Sequence, residues 1–99
     1  MKVWNVLQIP TNRLDFFIRS VTISSYLPGR VRLYSRHLVD NEALGKEIEE
    51  KLGAFEEIDR VETSTVTGSI LIQYEPERLR RKEELRKVEL YIMTHVKRR

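Results

Sequence analysis

The pattern of this chain predicts an α+β fold two layers deep, a four-stranded, mainly antiparallel sheet carrying two helices on one face. Three observations predict it. Two short alternating runs flank Pro28-Gly29. A helical stripe of Leu44, Ile48, Leu52 and Phe55 follows them. Two further strand-like runs then meet at Thr67-Gly68 and lead into a second apolar stripe. The order is strand-strand-helix-strand-strand-helix, a split β-α-β arrangement. Ninety-nine residues make one domain, burying roughly 60–65% of the surface the unfolded chain exposes. Such a chain supports a single two-layer core.

Residues 1–19 form an apolar leader. Trp4, Val6, Leu7 and Ile9 precede Pro10, and Thr11 or Asn12 is suited to cap a short helix carrying Leu14, Phe16, Phe17 and Ile18. A segment this apolar is expected to pack, either on the domain formed by residues 20–99 or on a neighbouring subunit.

The first two strands are expected at Val21–Ser25 and Arg30–Ser35. An uninterrupted two-residue turn would pair Ile23 with Tyr34 and mix polar with apolar residues on each face. One extra, bulged residue in the connection pairs Ile23 with Leu33 and Ser25 with Val31. Val21, Ile23, Val31 and Leu33 then share one face, and Thr22, Ser24, Arg32 and Tyr34 the other.

Asp40 or Asn41 is a suitable cap for the first helix, with Glu42 in its first turn. The second hairpin is expected at Arg60–Val66 and Ser69–Tyr74. A two-residue loop there pairs Thr65 with Ile70, Thr63 with Ile72 and Val61 with Tyr74. Pro76 suits a helix start. Leu79, Leu85, Val88, Ile92 and Val96 make its stripe, with a break expected near Arg81. In this arrangement Ser69–Tyr74 lies beside the strand containing Val31.

Composition excludes several chemistries. With no cysteine there are no disulfides, thiolate metal sites or cysteine nucleophiles. No glycine-rich phosphate loop or His-Glu-x-x-His occurs. Glu49-Glu50 and Glu56-Glu57 are adjacent residues that point apart on a helix, so they read as solvated surface rather than acid-base dyads. A non-enzymatic role is expected. No run reaches the ~20 apolar residues needed to span a bilayer, and Met1-Lys2-Val3-Trp4 turns polar too soon for a signal peptide. A cytoplasmic location is the resulting expectation.

The net charge of +3 conceals an acidic stretch over residues 42–62 and clusters of arginine at 30, 32 and 36 and at 78, 80 and 81. Arg30 and Arg32 alternate on one strand and project from one face with Tyr34, beside Thr22, Ser24, Glu62, Ser64, Leu71 and Gln73. Arginine beside tyrosine suits phosphate, carboxylate or aromatic partners. RNA-binding sheets use two or three stacking aromatics, and here Tyr34 is joined at best by Tyr26. His37, with Asp40 and Glu42 nearby, is a weak candidate metal site, since imidazole and carboxylate can bind zinc or iron. His95 reads as a surface or half-buried residue.

The run Leu27-Pro28-Gly29-Arg30-Val31-Arg32-Leu33, the helix after it, Val61, and Thr67-Gly68-Ser69-Ile70-Leu71-Ile72-Gln73-Tyr74 together resemble the cysteine-free type of heavy-metal-associated domain. Such domains occur as small single proteins and at the N-termini of some P-type metal-transporting ATPases. The resemblance spans about residues 20–80. It implies a ferredoxin-like fold in which Val21–Ser25 takes the sheet position held by a C-terminal strand in ordinary members. Those members place a Cys-x-x-Cys in the loop that here reads Ser35-Arg36-His37-Leu38-Val39-Asp40-Asn41, so metal shuttling through thiolates does not carry over. The resemblance implies an interaction module serving metal transport or storage, with iron among the candidate metals. Its protein partner would be a P-type metal ATPase or a metal-storage assembly, met through Arg30, Arg32, Tyr34 and Arg36 or through Phe16 and Phe17, with a homodimer through the leader as a further possibility. The alternatives are nucleic-acid or anionic-ligand binding on the arginine face, and weak metal binding through His37. No cofactor is implied.

Overall fold

The computed structural model describes residues 21–96. The leader, with Phe16 and Phe17, lies outside them. Four strands, β1 (Thr22–Leu27), β2 (Arg30–Tyr34), β3 (Ile58–Ser64) and β4 (Ser69–Tyr74), form one antiparallel sheet in the order β1-β2-β4-β3. The helices are α1 (Glu42–Gly53), α2 (Pro76–Arg80) and α3 (Glu83–His95). This is the ferredoxin-like α+β arrangement, with β4 beside β2 and β1 closing the edge.

Ile23, Val31, Leu33, Ile70, Ile72 and Tyr74 point into the layer between sheet and helices. Leu44, Ile48 and Leu52 from α1, Leu79 from α2, and Leu85 and Ile92 from α3 meet them. Ile48 is 1% exposed. At roughly 1.5–3 kcal/mol for each fully buried aliphatic or aromatic side chain, this stripe is the main force holding helices to sheet.

The first hairpin departs from the expected register in one respect. Ile23 pairs with Leu33, but the extra residue sits inside β1, at Ser24, and not in the connection. The loop is the two-residue Pro28-Gly29, with Pro28 at the position a type II turn favours for proline and Gly29 at φ +90°. Ser25 therefore pairs with Arg32 and not Val31, while Tyr26 pairs with Val31. The bulge changes the parity of the strand, so Tyr26 turns under the helices instead of joining Tyr34 on the open face.

The second hairpin is shifted by two residues. Thr63 pairs with Ile70, Val61 with Ile72 and Ile58 with Tyr74, around a four-residue loop of residues 65–68. A shift of two preserves every side chain's face, which is why hydrophobic alternation alone could not distinguish the two registers. Val66 is consequently not in a strand but at the loop tip, 85% exposed.

Asn41, and not Asp40, caps α1, its side-chain oxygen accepting the Leu44 N–H at 3.0 Å. Asp40 instead adopts φ 60° and donates its N–H to Thr65 O at 2.9 Å. The break near Arg81 is present: α2 ends at Arg80 and α3 begins at Glu83.

Candidate functional site

Cross-strand pairing arranges the helix-free face of the sheet in rows. Tyr34 lies between Thr22 and Ser69, Arg32 between Ser25 and Leu71, and Arg30 between Leu27 and Gln73. Glu62 and Arg60 on β3 continue the second and third rows beyond Leu71 and Gln73. β2 alternates buried Val31 and Leu33 with exposed Arg30, Arg32 and Tyr34, as period-two geometry requires.

Charge on this face is unevenly satisfied. Arg60 is ion-paired with Glu62, whereas among the described residues neither Arg30 nor Arg32 has a carboxylate partner. Two guanidinium groups with no carboxylate partner among the described residues thus stand beside Tyr34 and Leu71. Arg36 lies past the end of the strand in a short 3-10 turn, Arg36–Leu38, separate from these rows.

His37 and Asp40 occupy exposed positions in and after that turn. His37 donates its backbone N–H to Ser35 Oγ and Asp40 binds Thr65 through its backbone. Among the described residues no three His, Cys, Asp or Glu side chains converge as metal ligands. Among the described residues, then, the loop in the place of the thiolate pair of ordinary heavy-metal-associated domains brings no set of three such ligands together.

The loop is nonetheless built. Ser35 donates its N–H to Gly68 O at 2.9 Å, fastening the end of β2 to the β3-β4 loop. Gly68 adopts φ +82°, and a Cβ there would lie 2.9 Å from Tyr34 Cε1 and 3.1 Å from Val39 Cγ2. Glycine lets the Tyr34 ring settle against the turn, which positions it at the end of the arginine rows.

On the opposite side the structure holds a network that sequence reasoning missed. Glu89, mid-helix in α3, is 4% exposed. Its carboxylate accepts from Tyr74 Oη at 2.7 Å, Tyr26 Oη at 2.9 Å, and Arg80 Nε and Nη2 at 2.7 and 3.1 Å. Burial is the largest single influence on Glu89 and pushes its carboxyl up, but the hydrogen bonds from Arg80, Tyr74 and Tyr26 together outweigh it and hold the group below its ordinary value. Tyr74 and Tyr26 are both raised, by burial first and then by donating to this anion. Arg80 is raised by the same hydrogen bonding. The only sequence signal was position: Glu89 sits one residue from Val88 and three from Ile92, on the apolar stripe. An apolar cavity of about 50 Å³ adjoins it, between Leu52, Ile72, Leu79, Leu85 and Val88. By accepting from β1, β4 and the end of α2 at once, the carboxylate fastens α3 to the sheet and to the helix before it.

Glu49, expected to be simply solvated, accepts from both the backbone N–H and the hydroxyl of Thr63 at 3.1 and 2.7 Å.

A four-stranded antiparallel sheet in the order β1-β2-β4-β3 under its helices is the α+β architecture of the heavy-metal-associated class. The chain belongs to that family in the form described as heavy metal associated domain 2, whose model matches residues 14–96. The match reaches further in both directions than the motifs at residues 20–80. It assigns the chain a metal-related function, in a family whose domains are in general non-catalytic binding modules. No curated relative and no solved structure matches. No helix among the described residues is long and apolar enough to cross a membrane.

Proposed function

We propose that this chain is a non-catalytic docking module of a metal-handling system, acting in the cytoplasm. It meets a protein partner, a P-type metal ATPase or a metal-storage assembly handling iron or a similar ion, and does not carry the ion itself. Arg30, Arg32 and Tyr34 form the centre of the contact surface, with Arg36 at its margin and Phe16 and Phe17 contributing from the leader. The observation that supports this reading is a pair of guanidinium groups without carboxylate partners among the described residues, on a face where the neighbouring Arg60 is neutralised. Arginine is favoured at interfaces because its planar fork binds carboxylates bidentately, so the matching surface should be acidic.

A nucleic-acid reading draws on the same arginines but loses an aromatic, because Tyr26 bonds Glu89 beneath the helices. Among the described residues Tyr34 alone is left on the open face, where stacking sheets use two or three rings.

The test is in-cell cross-linking of the full chain, with partners identified by mass spectrometry, for the parent and an R30E/R32E variant. A transporter or storage-shell subunit captured by the parent and lost from the variant supports docking. Salt-steep binding to random-sequence oligonucleotides, lost in the same variant, would replace docking with the anionic-ligand reading. Stoichiometric metal that survives dialysis and disappears in His37→Ala would replace it with metal binding.

A further inference from the structure

Among the described residues the sheet has two free edges, and they are treated differently. On β3 the outward Thr63 N–H is occupied by the Glu49 carboxylate, the strand is bulged at Asp59, and it carries Asp59, Arg60 and Glu62. These are the devices by which proteins block edge-to-edge pairing. β1, Thr-Ile-Ser-Ser-Tyr-Leu, has no charge and no proline. In a two-residue hairpin the pair flanking the loop, Leu27 and Arg30, is the hydrogen-bonded one. The next residue, Tyr26, then turns its backbone N–H and C=O to the free edge, and no described residue bonds them.

The helix above this edge is also unfinished. α3 is tied over β1 by the Tyr26–Glu89 bond. Its Val88 flank faces α1, sharing the apolar cavity with Leu52. At 3.6 residues per turn, Leu90 and Met93 fall on the opposite flank, beyond β1, where they are 48% and 38% exposed.

We propose that this side of the molecule binds a second copy of the chain, β1 pairing antiparallel with β1 of its partner and the α3 helices meeting through Leu90 and Met93. A two-fold interface must be self-complementary. An uncharged edge and the exposed pair Leu90 and Met93, with Arg86 between them on the helix flank, satisfy that condition, whereas the arginine face repels its own copy and requires a different partner. The pairing joins two four-stranded sheets into one and places two arginine faces on the same surface. It is independent of the docking reading, and either can fail alone.

The experiment is sedimentation of the full chain over a concentration series, with an L90E/M93E variant checked by circular dichroism. The parent should sediment as a dimer and the variant as a folded monomer. Because the chain has no cysteine, Ser25→Cys on β1 and Glu62→Cys on β3 provide single thiols. A short thiol cross-linker should join the first into covalent dimers and leave the second unjoined. This comparison decides the matter even if the double variant fails to fold. A parent that stays monomeric, with Ser25→Cys unjoined, would mean that the edge takes no second copy and is covered otherwise, for example by residues 1–19. A dimer that survives L90E/M93E, or Glu62→Cys joining as readily, would equally overturn the proposal.

Discussion

Tyr74 and Glu89 connect the sheet to the last helix through a single hydrogen bond, Tyr74 Oη donating to Glu89 Oε2 at 2.7 Å in the buried layer. Hydrogen bonds to charged groups contribute about 1.5–3 kcal/mol, and removing one partner of a buried charge leaves the other uncompensated. Tyr74→Phe and Glu89→Gln should each destabilise the protein. A double-mutant cycle by urea denaturation should show coupling of about 1–2 kcal/mol. Additive losses would mean that the two groups merely lie close.

Acid should act through the same carboxyl. Glu89 is held below its ordinary value in the fold, while in the unfolded chain it titrates near ~4.3. The unfolded chain therefore takes up the proton first. The stability contributed is fully present above ~4.3 and is lost as pH falls through that value toward the folded one. Denaturation midpoints between about pH 6 and pH 3 should fall more steeply for the parent than for Glu89→Gln. Parallel curves would contradict this.

Ile48 is the centre of the α1 stripe. Ile48→Ala should cost about 2–5 kcal/mol. A loss below about 0.5 kcal/mol, ordinary for surface changes, would mean that α1 does not bear on the core.

Neighbouring residues at the α1 start should respond in opposite ways. Asn41→Ala removes the cap on Leu44 N–H and should cost about 0.5–2 kcal/mol. Asp40→Gly relieves a left-handed backbone at φ 60° and should be neutral or mildly stabilising. Equal losses at both positions would show that Asp40 has a capping role as well.

Gly68→Ala places a Cβ 2.7 Å from Ser35 O and 2.9 Å from the Tyr34 ring, at φ +82°. It should destabilise by more than about 1 kcal/mol and perturb Tyr34, read from its fluorescence or ring NMR signals. A variant as stable as the parent would indicate a loop with freedom to move.

The sequence made the layers, the strand order and the face bearing Arg30, Arg32 and Tyr34 legible, because apolar residues of period two and 3.6 mark which side of an element is buried. It could not place the bulge: an extra residue at the turn and one at Ser24 give the same Ile23–Leu33 pairing, and only the packing of Tyr26 separates them. The shift of the β3-β4 hairpin was hidden because it moved no side chain to the other face. Glu89 was hidden for another reason. A carboxylate in a charged helix reads as solvated until three donors from distant parts of the chain, Tyr26, Tyr74 and Arg80, are brought together around it. The loop from Ser35 to Asn41 reads in sequence as a possible ligand site, while its backbone pairing with Thr65 and Gly68 joins residues far apart along the chain and leaves no mark in the residue pattern.

The interruption at Ser24 acts as a frameshift in three dimensions. Were Ser24 held in strict alternation with its neighbours, the phenol two residues on would swing out into water and leave an anion in oil with one fewer proton to lean on. The out-of-step serine, its hydroxyl turned to the Arg32 carbonyl, thus lets Ile23 and Tyr26, three residues apart, both face inward, the first into the core and the second onto the carboxylate of α3.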